Sequence, residues 1–346
     1  MSELTLVVDG TQYRGWTNVE VRRGLEQIAD RFELELAERW NGQDARLPLR
    51  PGEPAHLEID GERVLTGYLD DVLPNYDGRA HTLVVAGRSK TADLVDCSGE
   101  DMNFRVAQTV EQVAQAVATP FGIEVVTEVD VGAPLRAPSI EAGQPYAEAL
   151  SQLARHRALL LVSDVEGRLV ITRPPRERLR TELALGENIR EARGRFSFRD
   201  RFSEVTVEGQ GTADDSWFGP PAAGAMGRSR DEGVGRYRPT LVLSDTAVDS
   251  GACRERADWE VRQRFGRSRG VTYTVAGWRH QDGLWRPGDT VPIRDPWVGL
   301  DGVAWLIEEV QLVLDDRGER AELRVVPPSA YDLRATPEEP EEDTTW

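Results

Sequence analysis

Three short segments combine a glycine with basic and hydroxyl residues, as phosphate-binding loops and exposed nucleophiles do. They are GRSK at 87–90 and GRSR at 227–230 and 266–269. A phosphate loop needs GxxxxGK followed by Ser or Thr at a helix start, and a nucleophile elbow needs a second glycine where this chain has Thr91. Neither motif is present, so a joining role is favoured over a ligand-binding role.

GRSK follows an apolar strand pattern and precedes the segment TADLVD. We predict that the strand ends there, that Gly87 turns the chain, and that Ser89 or Thr91 caps a short helix. Gly87, Arg88 and Ser89 are therefore candidate hinge or interface residues between two domains. The copy at 227–230 lies in a predicted loop and the copy at 266–269 at a predicted helix end, so the three segments share no structure.

Other residue types with chemical potential lack the spacing that catalysis or metal binding needs. Adjacent carboxylates such as Asp70 and Asp71 point to opposite faces of a strand and do not converge on a cleft. The histidines and cysteines show no ligand spacing, and the Gly-rich segment 219–235 lacks GxGxxG after a strand. We therefore predict a protein that is not an enzyme and has no catalytic residue, cofactor or metal.

Three tryptophans crowd one carboxyl-terminal segment. Trp285, Trp297 and Trp305 lie within LWRPGD, DPWVGL and VAWLIEE. Aromatic side chains of this kind anchor many protein interfaces, and they also fill cores. Both interpretations remain open from the sequence, and the three residues are candidate interface positions.

Bulk composition limits the classes of partner. The chain has 346 residues, a formal net charge of -18 and only two cysteines. That charge argues against wrapping nucleic acid, because phosphate neutralisation requires clustered Lys and Arg. No apolar run approaches the ~18 residues of a membrane span, and we expect no membrane insertion, no signal segment and no disulfide scaffold.

Periodicity predicts a mainly β chain with an α+β insert. Segment 1–90 reads as a β-barrel-like domain, in which FELELAERW alternates and Asp60-Gly61 and Asp77-Gly78 mark hairpins. Segment 91–178 reads as an α+β domain with a Thr109/Gln112 capping pattern and a second helix that starts at Pro145.

The rest of the chain is predicted to return to β structure. Segment 179–239 reads as further strands with a long Gly/Pro-rich loop at 211–236, and segment 240–330 as a second β-rich domain with one helix ending at Gly266. Residues 331–346 form an acidic tail predicted to be disordered. Because β-rich units lie at both ends, a structural duplication without sequence similarity is possible.

Long blocks of the sequence resemble a known family. GWTNVEVRRGLEQIADRFELELAERW, VLTGYLDDVLPNYD and GRSKTADLVDCS, with GENIREARGRFSFRDRFSEVTVEGQG and VAGWRHQDGLWRPGDTV later in the chain, resemble the baseplate hub proteins of Mu-like contractile phage tails, the tail protein P family. The likeness covers nearly the whole chain to about Pro328. More distantly, the fold is expected to be similar to the T-even phage hub and to the hub half of type VI secretion spike proteins (VgrG).

The resemblance implies a structural protein rather than an enzyme. It implies two tube-type antiparallel β-barrel-like domains plus an α+β domain, and a homotrimeric ring of pseudo-sixfold symmetry that joins the sixfold tail tube to the threefold central spike. The implied partners are the chain itself, tube or tube-initiator proteins, the spike, baseplate wedge proteins and the tape-measure protein, and DNA passes through without specific binding. The implied location is the virion tail baseplate, assembled in the bacterial host cytoplasm.

Three alternatives stay open beside this hub. The same hub would also serve a phage-derived contractile injection particle or a type VI-like system. A tail-tip cell-wall hydrolase would need convergent carboxylates, and a glycan-binding module would use the tryptophan-rich segment.

Overall fold

A computed structural model describes residues 2–37, 48–77, 81–135, 137–155, 157, 159–174, 177–209, 225–244 and 250–331. Trp40, Gly78, the predicted loop residues 211–224 and the acidic tail from 332 lie outside the described residues. The described chain is mainly β with a few helices, which confirms the predicted fold class.

The first β segment contains seven strands among the described residues. They are β1 (Leu4–Val8), β2 (Thr11–Tyr13), β3 (Asn18–Gly24), β4 (Arg31–Ala37), β5 (Pro54–Ile59), β6 (Glu62–Tyr76) and β7 (His81–Ser89). The predicted hairpin at Asp60-Gly61 connects β5 to β6, and both residues have positive φ angles, 53° and 81°. Such a turn twists with the flanking strands, which is why Asp-Gly favours it.

Helices and short strands follow. They are α1 (Ala92–Asp96), β8 (Met102–Asn103), α2 (Val110–Ala118), β9 (Val125–Thr127), β10 (Ser139–Ile140), α3 (Tyr146–Arg155), β11 (Leu160–Ser163) and β12 (Leu169–Thr172). The predicted capping box at α2 is confirmed, because the Thr109 hydroxyl accepts from the Gln112 N–H at 3.2 Å and the Gln112 side chain accepts from the Thr109 N–H at 2.9 Å. Buried faces of α2 and α3 share one core with β11 and β12.

The remaining described residues form the second β segment and the longest helix. They are β13 (Leu183–Ala184), β14 (Ile189–Phe196), β15 (Glu204–Glu208), β16 (Met226–Arg230), β17 (Pro239–Leu243), α4 (Ser250–Ser268), β18 (Arg269–Ala276), β19 (Arg279–His280), β20 (Gly283–Leu284), β21 (Thr290–Asp295), β22 (Leu300–Asp315) and β23 (Gly318–Val326). The helix ends two residues beyond the predicted Gly266.

The chain divides into two compact units. One comprises Met1–Gly194 with Val271–Val325, and the other comprises Arg195–Gly270 with Val326–Trp346. The second unit is thus a long insertion between β14 and β18 together with the carboxyl terminus. The domain boundaries inferred from the sequence stay predictions.

A single large sheet connects both β segments in the first unit. Its strand order is β14-β18-β23-β22-β3-β4-β7-β6-β5-β1-β2, and β21 and β13 extend it from β22. The seam between the segments is the antiparallel pairing of β22 with β3, which runs from Glu309 opposite Gly24 to Leu314 opposite Val19. One core of buried apolar residues underlies strands from both segments.

The two β segments repeat one topology. In chain order, β3, β4, β6 and β7 lie side by side as first, second, fourth and third, and β14, β18, β22 and β23 lie in the same arrangement. The third strand is long in both repeats: β6 has 15 residues and β22 has 16. Each long strand pairs over its first half with a preceding strand, β5 or β21.

Matching turns confirm that this is a duplication of structure. Arg50-Pro51-Gly52-Glu53 precedes β5, and Arg286-Pro287-Gly288-Asp289 precedes β21. The Gly52 N–H donates to the Leu69 carbonyl at 2.7 Å, and the Gly288 N–H donates to the Ile307 carbonyl at 2.8 Å. Leu69 on β6 and Ile307 on β22 therefore occupy equivalent positions.

The second unit packs a small sheet on α4. The strand order is β16-β15-β17, and Val207 on β15 packs against Cys253 and Ala257 on α4. The prediction that GRSR at 227–230 lies in a loop is wrong, because these residues belong to β16. Gly227 is required there, since an added Cβ would lie 2.1 Å from the Arg254 nitrogen of α4.

Candidate junction and interface residues

Gly87 lies inside β7 and does not turn the chain, which corrects the prediction made for it. It pairs with Phe32 on β4 and with Leu69 on β6. An added Cβ would lie 2.3 Å from the Tyr68 carbonyl oxygen, so the glycine permits close approach of two strands. The chain leaves the sheet only after Ser89.

The hydroxyls of Ser89 and Thr91 do not cap α1, and this prediction is also wrong. Thr91 occupies the N-cap position without a side-chain cap bond, because its hydroxyl donates to the Ile28 carbonyl at 2.7 Å. The Ser89 hydroxyl accepts from the Asp30 N–H at 3.1 Å. Both residues are fully buried, so their hydroxyls satisfy the turn between β3 and β4 instead of the helix.

Arg88 joins the β sheet to α1 through two carboxylates. Its guanidinium donates to Asp70 on β6 at 2.6 and 3.3 Å and to Asp96 on α1 at 3.0 and 2.6 Å. The hydrogen bonds that Arg88 donates to both carboxylates, first Asp96 and then Asp70, raise the pKa of Arg88. The planar fork of arginine fits such paired bonds, which lysine could not make.

Two acids of α1 near Arg88 have pKa values that are shifted in opposite directions. The hydrogen bond from Arg88 lowers the pKa of Asp96 from its usual value. Burial, with repulsion from Asp96 as the next cause, raises the pKa of Asp93. The sequence did not predict that Asp70 and Asp96 bind Arg88, because the pairing of β6 with β7 and its register shift between Leu69 and Asp71 have no local signal.

A second set of contacts lies beside this one. The Lys90 N–H donates to the Thr66 carbonyl at 3.1 Å, and the Thr66 hydroxyl donates to the Val165 carbonyl at 2.7 Å. An added Cβ at Gly167 would lie 2.7 Å from the Thr66 carbonyl oxygen, so the turn between β11 and β12 sits directly on β6. With Arg88, these bonds hold the β sheet and the α+β segment at two points, which favours a braced junction over a hinge.

Two shallow grooves border Arg88 on the surface. The larger, about 470 Å³, is lined by Glu20, Glu33, Asp71 and Arg31 among others, and the smaller, about 380 Å³, by Gly52, Tyr68 and Asp93 among others. The Ser89 hydroxyl, which lines the smaller groove, accepts from the Asp30 N–H and bonds to the Thr91 hydroxyl. Within the described ranges, no group of three or more His, Cys, Asp or Glu side chains could hold a metal ion.

The three candidate tryptophans have different environments. Trp285 and Trp305 are 3% and 7% exposed and belong to the core, whereas Trp297 is 82% exposed. Trp297 lies on the one-turn 3-10 helix Pro296–Val298 between β21 and β22. Only Trp297 therefore has the exposure that an interface anchor needs.

Buried polar residues fix the turn that carries Trp297. The Asp295 carboxylate accepts from the Trp297 N–H at 3.1 Å and from the Tyr273 hydroxyl at 3.2 Å, and both Asp295 and Tyr273 are buried. Burial, with the Asp295 charge as the next cause, raises the pKa of Tyr273, so its proton stays on the hydroxyl. These bonds fix the backbone of the turn that presents the exposed indole.

In the described part of the chain, no helix combines the length and apolar character that crossing a membrane takes.

Family models match three parts of the chain. Residues 3–89 match the N-terminal domain of Mu phage baseplate assembly protein GpP-like proteins, residues 91–173 match the second domain of baseplate hub protein gp44-like proteins, and residues 249–334 match the fourth domain of the Mu phage baseplate assembly protein GpP. The first two matches meet within GRSK and its neighbour Thr91.

Two relatives are 33% and 38% identical in sequence to this chain over most of its length. The chain is 33% identical over 326 residues to the baseplate hub protein gp44 of Escherichia phage Mu, covering 91% of this chain and 84% of that protein. It is 38% identical in sequence to the 43 kDa tail protein of prophage MuSo2 from Shewanella oneidensis. The crystal structure of that protein matches this one with a TM-score of 0.83, covering 96% of this chain and 100% of that chain.

More distant structures share the fold alone. A tail protein from Neisseria meningitidis has a TM-score of 0.81 at 24% identity, covering 95% of this chain and 98% of that one. A type VI secretion component from E. coli has a TM-score of 0.61 at 13% identity, covering 93% of this chain and 76% of that one. Identity over nearly the full length, the matched domain models and the duplicated sheet lead to one conclusion: the chain belongs to the family of Mu-like phage baseplate hub proteins.

Proposed function

We propose that this chain is the structural hub of a contractile phage tail baseplate and acts as a homotrimer that joins a sixfold tail tube to a threefold spike. The observation that carries the proposal is the repeated strand order in one continuous sheet. Three copies of a chain with two equivalent repeats supply six similar modules around one axis. A sixfold tube can then meet a matching surface.

The same chain also supplies a threefold feature. The insertion that forms the second compact unit occurs after the first strand of the second repeat, and the first repeat has no counterpart at that point, where β3 leads directly to β4. In a trimer this unit would occur three times while the repeats occur six times. That combination suits contact with a threefold spike, with wedge proteins as further partners around the ring.

The polar face of the sheet is the face opposite the shared core. Its charges suit a passage for DNA and a tape-measure protein. Arginines on this face are engaged by carboxylates, as in the Arg22–Glu309 pair at 2.6 Å and the Arg320–Asp315 pair at 2.7 Å. With a net charge of -18, the chain offers a polyanion little attraction. We propose that this face lines the bore and that DNA passes without specific binding, in a virion baseplate assembled in the host cytoplasm.

Mass photometry with imaging of assembled particles tests the homotrimer. We expect a species of three times the 38.6 kDa chain mass, alone or with a co-expressed spike protein, and a ring with six similar lobes at low resolution. A monomer in both settings, or a ring whose lobe number is not a multiple of three, would overturn the proposal. Hydrolysis of purified peptidoglycan by this ring would instead support the enzyme alternative.

A further inference from the structure

The hairpin β5–β6 and the hairpin β21–β22 occupy equivalent places in the two repeats. Each ladder contains one register shift, between Leu57 and Glu58 in the first hairpin and between Ile293 and Arg294 in the second. Each shift lies equally far along the chain from the matching Arg-Pro-Gly turn that precedes the hairpin. The duplication therefore extends, residue by residue, to the end of both hairpins.

The turns that close these hairpins differ in length. Asp60 and Gly61 alone close the first hairpin, whereas residues 296–299 close the second, which is two residues longer at this point. The longer turn presents the exposed Trp297, and the shorter turn has no aromatic residue. The two additional residues thus give the second repeat an exposed indole that the first repeat lacks.

The second repeat buries a carboxylate where the first buries an alkyl side chain. Asp295 and Ile59, the residues before the two turns, are 1% and 0% exposed. A buried carboxylate costs free energy unless hydrogen bonds replace its water. Asp295 accepts from the Tyr273 hydroxyl at 3.2 Å and from the Trp297 N–H at 3.1 Å. Asp295 is therefore a positioning residue for the turn that carries Trp297.

The equivalent turn of the first repeat is bound within the chain. Arg279 donates to Asp60 at 3.2 Å and to Glu62 at 3.1 Å, and Arg286 donates to Glu62 at 2.7 Å. Both arginines come from the second repeat, between β18 and β21. A partner that approaches the two turns meets paired charges on one repeat and an exposed indole on the other.

Three copies of the chain would convert this difference into a threefold pattern. Six equivalent hairpins would be present, three of which end in Trp297 and three in Asp60-Gly61. A ring of six identical tube subunits offers six identical surfaces, so half of its sites would meet no indole. A trimeric partner offers one site for each indole, and it therefore fits the pattern better.

We infer that Trp297 anchors this chain to a threefold-symmetric partner, the spike of the proposed baseplate, by inserting its indole into an apolar pocket. The inference rests on the proposed homotrimer and names the contact surface for one of its partners. Tryptophan is prominent among the residues that carry most of the binding energy of an interface. The pocket also needs a hydrogen-bond acceptor, because a buried indole N–H usually finds one.

Photocrosslinking in assembled tails identifies the protein that covers position 297. The photoreactive amino acid p-benzoylphenylalanine replaces Trp297 in one variant and Arg317 in the matched control. Arg317 is exposed on the turn at the other end of β22. We expect irradiation to link the first variant to the spike protein, identified by mass spectrometry, and the control to give no such product.

Three crosslinking results would overturn the inference. The first is a product with the tube protein only, the second is a product with another copy of this chain only, and the third is no product from particles that contain the variant chain.

Binding of the purified homotrimer to a co-expressed and purified spike protein measures the contribution of the indole. We expect Trp297→Ala to weaken spike binding by about 30-fold or more, and Trp297→Phe to retain part of the affinity. Binding to the tube protein should be unchanged in both. Val106→Ala shortens another exposed apolar side chain, in the α+β segment, and should change spike affinity by less than about twofold.

The binding results separate this inference from the proposed function. A Trp297→Ala homotrimer, verified by mass photometry, that binds the spike as the parent does overturns the anchor and leaves the hub standing. Loss of tube binding with intact spike binding overturns the anchor as well. A chain that is monomeric both alone and in the assembled particle overturns the proposed function and the anchor together.

Discussion

Gly87 and Phe32 face each other across the pairing of β7 with β4, and the aromatic ring fills the space that a side chain at position 87 would occupy. An added Cβ would come within 2.6 Å of the Phe32 ring. Phe32 is itself buried, in the core that both β segments share. The glycine is thus a packing requirement of the sheet, although its sequence context suggests a turn.

Gly87→Ala should destabilise the first unit by about 2–4 kcal/mol, because neither the Tyr68 carbonyl nor the buried ring can move without strain. Gly235→Ala is the matched control, since no atom lies within 4 Å of its added Cβ and its φ is not positive, and it should change stability by less than about 0.5 kcal/mol. Urea unfolding measures both. Equal effects would contradict the packing account.

Arg88→Ala should cost about 1–2 kcal/mol, a discounted value because Arg88 and its partners are partly exposed. It should also raise hydrogen exchange at α1 more than in β6, since Asp96 belongs to α1 whereas β6 keeps its ladders with β5 and β7. Arg63→Ala removes the exposed pair with Glu166 and is the control, with a loss below about 0.5 kcal/mol. Unchanged hydrogen exchange at α1 in the Arg88→Ala variant would show that the hydrogen bonds of Arg88 do not hold the helix.

The acids beside Arg88 predict opposite pH dependences. The folded pKa of Asp96 lies below its usual 3.8, so its contribution is complete above that value and disappears as pH falls through the folded pKa. Asp96→Asn should therefore be less stable than the parent at neutral pH and converge with it in strong acid.

The folded pKa of Asp93 is raised, so the parent gains stability as pH falls from neutral toward 3.8, the usual value of this group. Asp93→Asn lacks that gain and should be the more stable protein at neutral pH. Thermal unfolding measured from strong acid to neutral pH tests both variants. Parallel profiles for the two variants would refute the assignment.

We expect substitution of the buried Trp285 to lower stability and substitution of the exposed Trp297 to impair assembly instead. Trp285→Ala should cost roughly 3–5 kcal/mol, as for other buried aromatic side chains, and Trp297→Ala should change subunit stability by less than about 0.5 kcal/mol. We expect Trp297→Ala alone to reduce incorporation into particles, scored by electron microscopy of complemented tails. Normal incorporation would remove Trp297 from the interface.

Local motifs were predictable because their physical cause lies within a few residues. The hairpin at Asp60-Gly61 depends on two positive φ angles, and the start of α2 depends on two reciprocal bonds between Thr109 and Gln112. Both predictions are confirmed. Ser89 and Thr91 carry the same kind of signal, yet partners at Ile28 and Asp30, remote in the sequence, take their hydroxyls.

Hydrophobic periodicity does not indicate which distant strands pair with each other. Nothing near Val19 or Leu314 indicates that they face each other, and the insertion at 195–270 hides the repeat by separating β14 from β18. The glycine-rich sequence around GRSR at 227–230 predicts a loop. Its glycine instead lets α4 approach β16, which is visible only when both elements are in place.

The seam between β3 and β22 is intramolecular, whereas the proposed contacts between subunits are intermolecular, and the two depend differently on protein concentration. Because its two strands belong to one polypeptide, it closes at the effective concentration of a tethered pair, whatever the amount of protein made. A joint between separate chains forms at a rate set by their concentration. In the proposed ring, dilute subunits can therefore fold individually, and the subunit concentration sets how fast the ring closes.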